Sequence, residues 1–177
     1  MNIFILNSGR CGSTTFIRAC SHIRNFTALH ESRSGLIGPE RLNYPANHIE
    51  ADNRLSWFLG RLERQYGDDA WYVQLNRDRS ATAESFARRS EFGIMQAYRD
   101  GVLLGLQGTP TAHEVALDYL DTVEANITHF LRDKSHQMHF RLEQAQEDFP
   151  RFWAWIGAEG DLQAALAEWQ TRHNASA

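Results

Sequence analysis

The feature that most constrains the fold of this chain is its N-terminal segment, where a short apolar run gives way to a polar loop containing two glycines. Residues 3–6 are continuously apolar, as in a strand of a parallel sheet that is buried on both faces. From Ser13 onward, Phe16, Cys20 and Ile23 recur at the spacing of one helix face. The segment therefore predicts a strand, a tight loop and a helix.

The loop has the chemistry of an anion-binding site. Gly9 and Gly12 allow tight turns and a close approach of the backbone to a ligand. Ser13 and Thr14 place hydroxyl groups beside the unpaired N–H groups of the first helical turn, where the helix dipole favours phosphate. Arg10 adds a planar cation suited to binding phosphate through two hydrogen bonds. The sequence thus predicts a phosphate loop.

Two familiar phosphate-handling chemistries do not fit this loop. The P-loop of ATP and GTP enzymes needs a lysine after its second glycine, whereas Ser13 follows Gly12 here and the only lysine of the chain is Lys134. A nucleotide kinase or other nucleoside triphosphatase is therefore disfavoured. Cysteine phosphatases use a Cys-x5-Arg loop around a thiolate, but the first arginine after Cys11 is Arg18, one residue too far.

Length and charge narrow the class further. At 177 residues with 42% hydrophobic residues, the chain is predicted to form one domain, residues 1–177, around one core. A net charge of −4 argues against nucleic acid or an anionic membrane as partner and favours a small molecule. The first residues lack signal-peptide features, and no apolar run reaches the roughly 20 residues of a membrane span. We therefore expect a cytoplasmic protein.

Hydrophobic periodicity predicts alternating strands and helices in the first half of the chain and mainly helices in the second. The predicted strands are 3–6, 25–29, 71–75 and 137–142; the predicted helices are one from Ser13 and those at 53–66, 79–90, 92–104 and 111–134, followed by apolar packing positions between Phe149 and Trp169. Residues 34–47 contain two glycines and two prolines and are predicted to be an irregular recognition loop. The pattern predicts a three-layer α/β fold with a short central parallel sheet, a P-loop-type strand, loop and helix, and a helix-rich C-terminal half.

A second anion-binding pair follows the predicted strand 71–75. Arg77 lies just past the strand end, and Ser85 lies eight residues later on the next helix, so a guanidinium group and a hydroxyl can converge on one phosphate. Together with the first loop, this pair implies a ligand with phosphate groups at two separated positions. Arg88 and Arg89, farther along the same helix, are typical of a solvated helix face.

Candidates for a general base lie near the end of the predicted strand 25–29. The carboxyl ends of parallel strands share one edge of a sheet, so Glu31 is expected beside the first loop. His30 and His48 are alternatives, because imidazole titrates near neutral pH. His136 and His139, three residues apart on a predicted strand, point to opposite faces, so no metal site is predicted.

These motifs resemble those of the sulfotransferases that use 3′-phosphoadenosine 5′-phosphosulfate (PAPS). The loop residues similar to the family's 5′-phosphosulfate loop, in the arginine form of Golgi, tyrosylprotein and many bacterial members, are Gly9, Arg10, Cys11, Gly12, Ser13, Thr14 and Thr15. Arg77 and Ser85 are similar to the pair that holds the 3′-phosphate. Glu31, within His30-Glu31-Ser32-Arg33, takes the place of the catalytic base of tyrosylprotein sulfotransferases. Arg141-Leu142-Glu143 and the apolar positions after it resemble a late strand and helix of many members.

The resemblance implies transfer of a sulfuryl group from PAPS to a hydroxyl or amine of a small-molecule, carbohydrate or lipid acceptor, without a metal. It implies that Glu31 takes the acceptor proton and that Arg10 stabilises the leaving phosphate and the group in transfer. The sequence departs from the family at one position. Family members have a lysine between the base and the 3′-phosphate strand, and this chain has none there; His48 and Arg54 are candidate replacements. A nucleotide-binding protein of the same fold without transfer activity is the alternative.

Overall fold

The computed structural model describes residues 1–104 and 106–171, and these residues form one five-stranded sheet. Its strands are β1 (Asn2–Leu6), β2 (Thr27–His30), β3 (His48–Ala51), β4 (Trp71–Asn76) and β5 (Gln137–Arg141). The strand order is β2-β3-β1-β4-β5, and every neighbouring pair is parallel. The predicted α/β class with a central parallel sheet is confirmed.

Helices cover both faces of the sheet. The helices of the described residues are α1 (Ser13–Cys20), α2 (Leu59–Tyr66), α3 (Arg79–Ala87), α4 (Gly93–Ala97), α5 (Ala112–Leu131), α6 (Ala145–Trp155) and α7 (Leu162–Ala167). Short 3-10 helices lie at Gly38–Arg41, Asn53–Trp57, Leu142–Gln144 and Glu168–Gln170, and a π-helix lies at Tyr98–Val102. Within this part of the chain, no helix is both long enough and apolar enough to cross a membrane.

Strand β1 lies at the centre of the sheet and is buried on both faces, as its apolar run predicts. Ile3 and Ile5 pack into a cluster with Phe16 of α1 and with apolar side chains of α6. Phe4 and Leu6 point to the other face, into a cluster with apolar side chains of α3 and α5. Residues on alternate faces of one strand therefore join two separate cores, which accounts for the three-layer arrangement.

Asp78 caps helix α3 and lies directly after Arg77, at the end of β4. Asp78 caps α3 by accepting a 2.8 Å hydrogen bond from the N–H of Ala81. Its own N–H donates to the Glu143 carboxylate at 2.8 Å. Because Asp78 directly follows Arg77, this cap sets the direction in which Arg77 leaves the end of β4.

Strand β3 is the largest departure from the sequence-based prediction. Residues 34–47 do form an irregular connection with one 3-10 turn, but the strand that follows was not expected, because its four residues include His48 and Glu50. Polar and apolar residues alternate over these four positions, but all four are buried, so the strand lacks the continuous apolar run expected of a strand that is buried on both faces. Strand β3 pairs with both β1 and β2, which makes β2 the edge of the sheet.

Two predicted helices are interrupted in the structure. The helix expected at 53–66 divides at Phe58, whose backbone (φ −119°, ψ 17°) lies outside the helical region and whose ring packs 4.9 Å from the Arg41 guanidinium. The helix expected at 92–104 is a short α4 followed by the π-helix, in which Tyr98 donates its hydroxyl hydrogen to Asp118 of α5. In both places a tertiary contact overrides the local helical pattern. The remaining predicted helices and strands differ from the observed ones only at their ends.

Candidate functional site

The loop between β1 and α1 has the backbone of an anion-binding turn. Gly9, Arg10 and Gly12 have positive φ angles of 94°, 58° and 89°. The Asn7 side chain braces the turn, accepting from the Gly9 N–H at 2.9 Å and donating to the Ile5 carbonyl at 2.8 Å. Gly12 caps α1 without a side-chain hydrogen bond, which leaves the first helical turn to receive an anion.

A cavity of about 640 Å³ opens at this loop. Its lining includes five arginines, namely Arg10, Arg54, Arg77, Arg88 and Arg89. Among the described residues that line it, Glu31 is the single carboxylate. The cavity has the size of a small-molecule site, and its charge suits a ligand with several negative charges.

The two predicted phosphate sites meet inside this cavity. The Arg10 Nε donates a 3.0 Å hydrogen bond to the Ser85 hydroxyl, although the two residues are 75 positions apart. Arg77 Nη1 donates to the Arg10 carbonyl at 3.2 Å. Ser85 is almost fully buried, and both Ser85 and Arg77 line the cavity. The loop after β1 and the strand–helix unit of β4 and α3 thus contribute to one site.

The arginines that line the cavity lie close enough to repel one another. Burial lowers the pKa of the Arg10 guanidinium below its ordinary value. Repulsion from three neighbouring arginines, Arg89, Arg77 and Arg88, lowers it further. A bound polyanion would relieve this repulsion, so the site is electrostatically arranged for phosphate.

Cys11 contributes its backbone to the loop and is not a nucleophile. Its side chain is 1% exposed, and burial raises the pKa of the thiol to about 12. Nearby backbone N–H groups, including that of Gly9, oppose this shift but do not reverse it. At neutral pH the thiol stays protonated, which agrees with the exclusion of thiolate chemistry from the sequence.

Glu31 lines the same cavity, from the turn that follows β2. Arg54 Nη1 is 2.9 Å from its Oε2, and the two side chains are 39% and 34% exposed. Arg54 also donates to the Asn53 side-chain oxygen at 3.4 Å. Of the two cations predicted for this neighbourhood, Arg54 is therefore the one that lines the cavity and contacts the carboxylate.

The two histidines proposed as alternative bases have different surroundings. His30 lines the cavity, with its Nε2 3.0 Å from the Ser13 hydroxyl. His48 is 1% exposed and lies between the Thr27 hydroxyl at 2.7 Å and the Glu50 carboxylate at 2.9 Å. His48 is not among the residues that line the cavity. The Ser13 contact also shows that β2 reaches the loop even though β3 separates it from β1.

Several lining residues were not assigned to the site from sequence. Arg88 and Arg89 follow Ser85 by about one helical turn, and this spacing was the available signal, but a surface position explains such a pair equally well. The apolar part of the wall consists of Phe86, Phe92, Ile94, Met95, Leu142 and Trp169. These residues come from distant parts of the sequence, so no local pattern connects them. The described residues contain no group of three or more His, Cys, Asp or Glu side chains able to hold a metal ion.

Comparisons with known proteins support the fold. No protein-family model and no curated protein sequence matches the chain. Among solved structures, the chain is similar to mouse sulfotransferase SULT7A1 complexed with PAP, with a TM-score of 0.57 and 13% sequence identity. The match covers 94% of this chain and 64% of the mouse chain, so this chain spans less than two thirds of that protein.

Proposed function

We propose that this chain is a PAPS-dependent sulfotransferase, which transfers a sulfuryl group to a hydroxyl or amine of a small-molecule, carbohydrate or lipid acceptor. The observation that carries the proposal is the convergence of two phosphate sites on one cavity, with Arg10 Nε 3.0 Å from the Ser85 hydroxyl. PAPS carries phosphate at both its 5′ and 3′ positions and needs such a pair of sites. The likeness of the fold to a sulfotransferase complexed with PAP supports the same conclusion.

The residues of the cavity suit this donor. The first turn of α1, with Ser13, Thr14 and the loop amides, would bind the 5′-phosphate. Arg77 and Ser85 would bind the 3′-phosphate, with Arg88 and Arg89 adding positive charge around it. The five arginines of the lining exceed the single carboxylate by four charges, which matches a polyanion.

Arg10 lies between the two phosphate sites. Its Nε contacts Ser85 on one side, and its backbone belongs to the 5′ loop on the other. We assign it to the stabilisation of negative charge on the leaving phosphate and the group in transfer, because its guanidinium can interact with both phosphate regions. The lowering of its pKa by burial and by neighbouring arginines would be reversed when anions bind beside it.

Glu31 would act as the general base. The acceptor oxygen or nitrogen forms a bond to sulfur, the bond between sulfur and the bridging phosphate oxygen breaks, and Glu31 takes the acceptor proton. PAP, which is 3′-phosphoadenosine 5′-phosphate, leaves with the bridging oxygen and its negative charge. Arg54, paired with Glu31 at 2.9 Å, would hold the carboxylate in place and add positive charge beside it.

A calorimetric titration with PAP, AMP and magnesium ATP tests the nucleotide assignment. We expect PAP to bind at least tenfold more tightly than AMP, because a charge-assisted hydrogen bond contributes about 1.5–3 kcal/mol. Equal affinities for PAP and AMP would contradict a 3′-phosphate site. Tight magnesium-dependent binding of ATP would instead favour a nucleotide kinase or other nucleoside triphosphatase.

Transfer from radiolabelled PAPS to a panel of alcohols, phenols, sugars, lipids and amines tests the reaction. Label in an acceptor, lost in Glu31→Gln, is the expected result. Tight PAP binding together with no transfer across the panel would favour the alternative, a nucleotide-binding protein of the same fold without transfer activity.

A further inference from the structure

The turn that carries Glu31 has an unfavourable backbone conformation. Glu31 has a φ of +52°, in the left-handed region that side chains with a Cβ seldom adopt. Its N–H donates to the Ala51 carbonyl at 3.0 Å, and its carbonyl accepts from the Ser34 N–H at 3.2 Å. Because such a conformation persists only when surrounding contacts hold it, we looked for the group that holds this turn.

Glu50 of β3 is that group. Its Oε1 accepts from the Ser32 N–H at 2.7 Å, and its Oε2 accepts from the Ser32 hydroxyl at 2.7 Å. Oε2 also accepts from His48 Nε2 at 2.9 Å. Both oxygens of this fully buried carboxylate are therefore used, and both contact the residue that directly follows Glu31.

His48 completes a short chain of hydrogen bonds behind the turn. Its Nδ1 lies 2.7 Å from the Thr27 hydroxyl at the start of β2, and its ring stacks on Tyr44 with centroids 5.4 Å apart. The imidazole is thereby fixed in orientation and in turn fixes Glu50. The chain runs from one end of β2 to the turn at its other end, alongside the edge of the sheet.

Burying a carboxylate costs far more free energy than burying an apolar side chain, and it is tolerated only when hydrogen bonds satisfy it. Here two of the three compensating bonds come from Ser32, an exposed residue that directly follows Glu31, and the third comes from the buried His48. The buried carboxylate therefore ties the turn that carries Glu31 to β3.

We propose that Glu50, backed by His48, is a positioning residue for sulfuryl transfer, which holds Ser32 and so aims the Glu31 carboxylate into the cavity beside Arg54. The proposal rests on the proposed function, since it assigns Glu50 to the alignment of the base. Glu50 itself does not line the cavity and so does not contact donor or acceptor. Its effect is expected on turnover and not on nucleotide affinity.

The test combines Glu50→Gln and Ser32→Ala with Glu31→Gln. In the wild-type background we expect each substitution to lower kcat about 10- to 100-fold, because misalignment of a base by about 1 Å costs about this much. The Kd for PAP should change less than twofold. In the Glu31→Gln background neither substitution should lower kcat further, because the base they align is already absent.

Asp148→Asn is the matched control. Asp148 is also a buried carboxylate, accepting from the Arg141 N–H at 3.0 Å and from Arg151 at 3.1 Å, but it lies outside the cavity. Equal losses of kcat from Glu50→Gln in both backgrounds, or a loss no larger than that of Asp148→Asn, would overturn the proposal. Ser32→Ala covers the case in which Glu50→Gln does not fold.

Amide hydrogen exchange gives a readout that does not depend on an acceptor. If Glu50 holds the turn, exchange at the Ser32 N–H should speed up at least tenfold in Glu50→Gln, while exchange in β1 stays unchanged. Unchanged exchange at Ser32 would overturn the positioning role even in an active enzyme. Failure of the proposed function has a different signature, namely no preference for PAP over AMP with the exchange result intact.

Discussion

The residues that line the cavity form two groups, the phosphate end with Arg10, Arg77 and Ser85 and the Glu31 end with Arg54, and these two groups are built in different ways. The phosphate end is formed by two strand-to-helix turns, β1 to α1 and β4 to α3, and its side chains follow directly from the starts of those helices. The Glu31 end is formed by an edge strand, a strained turn and the 3-10 helix Asn53–Trp57, which contact one another only in the folded chain. The proposed nucleotide binding therefore depends on local units, whereas the proposed alignment of the base depends on tertiary contacts.

The charges of the two ends differ as well. At the phosphate end, burial and then repulsion from neighbouring arginines lower the pKa of Arg10. At the other end Arg54 and Glu31 form a pair that is balanced and partly exposed. Substitutions of Arg77 and Ser85 should thus change the affinity for PAP, and substitutions at the Glu31 end should change turnover.

The largest expected effect is that of Glu31→Gln on turnover. General base catalysis contributes about 10²–10⁴-fold, so we expect kcat for sulfuryl transfer to fall by about this factor. The Kd for PAP should change less than twofold, because Glu31 is assigned to the acceptor and not to the phosphates of the donor. Steady-state kinetics with labelled PAPS and calorimetry with PAP measure the two quantities.

Glu147→Gln, at an exposed position of α6, is the control for loss of a glutamate charge and should match the wild type. A Glu31→Gln variant that keeps more than half of the wild-type kcat would remove the distinction between the two ends. It would direct attention to His30, which also lines the cavity.

The next effect concerns Arg77→Ala, which should weaken PAP binding about 10- to 100-fold, the loss expected for one charge-assisted hydrogen-bonding group. Affinity for AMP, which lacks the 3′-phosphate, should change much less. Arg79→Ala is the matched control, because Arg79 is close in sequence but pairs with Asp121 at 2.7 Å outside the cavity. Calorimetry that shows equal losses for PAP and AMP would contradict the assignment of Arg77 to the 3′ position.

The phosphate end could be predicted from sequence because its information is local. Gly9 and Gly12 mark the turn, the apolar run before them marks the strand, and the spacing of Arg77 and Ser85 places both on the neighbouring strand–helix unit. These local signals predict positions in the folded chain, because a helix that starts directly after a parallel strand has its first residues at the edge of the sheet. The residues predicted to bind phosphate accordingly line one cavity, except for Cys11, whose side chain is buried.

The Glu31 end was only partly predictable. Glu31 was predicted from its place after a strand, but its ion pair with Arg54 depends on β3. Two of the four residues of this buried strand are polar, His48 and Glu50, so β3 lacks the apolar run that marks β1. The role of His48 as a buried partner of Glu50 also could not be read from its residue type, because a histidine near neutral pH suits a base as well as a structural group. The Glu31 end is therefore formed by contacts between segments that are distant in sequence, and these contacts leave no local pattern.

A smaller effect is expected for Ser85→Ala. The hydroxyl is buried and accepts from Arg10, and loss of one hydrogen bond of this kind costs about 1 kcal/mol, or about fivefold in affinity for PAP. Because Arg10 loses a partner too, AMP binding should weaken slightly as well. Ser90→Ala, just beyond the end of α3, is the control and should bind PAP like the wild type. If Ser85→Ala binds PAP as tightly as the control, the two phosphate sites are not coupled through Arg10.

The smallest effect is expected for Cys11→Ala, which separates the backbone role of the loop from any side-chain chemistry. The Cys11 thiol is buried and does not face the ligand as a nucleophile, so the Kd for PAP and the rate of transfer should each change less than twofold. A loss of transfer greater than tenfold with unchanged PAP binding would show that the thiol takes part in the reaction.

The same variant should alter the pH dependence of stability in a defined direction. The thiol has a pKa of about 12 in the folded chain and an ordinary value of 9.0 when unfolded. The unfolded state therefore loses its proton first, and the wild type should lose stability as pH rises from about 9 toward 12, by up to about 1.4 kcal/mol per pH unit relative to Cys11→Ala. Chemical denaturation between pH 8 and pH 10.5 measures the free energy of unfolding of both proteins. Subtracting one from the other removes the contribution of the titrating groups that the two proteins share. Parallel stability curves for wild type and Cys11→Ala would contradict this prediction. They would mean that the Cys11 thiol is exposed to solvent in the folded protein and not buried in the loop between β1 and α1.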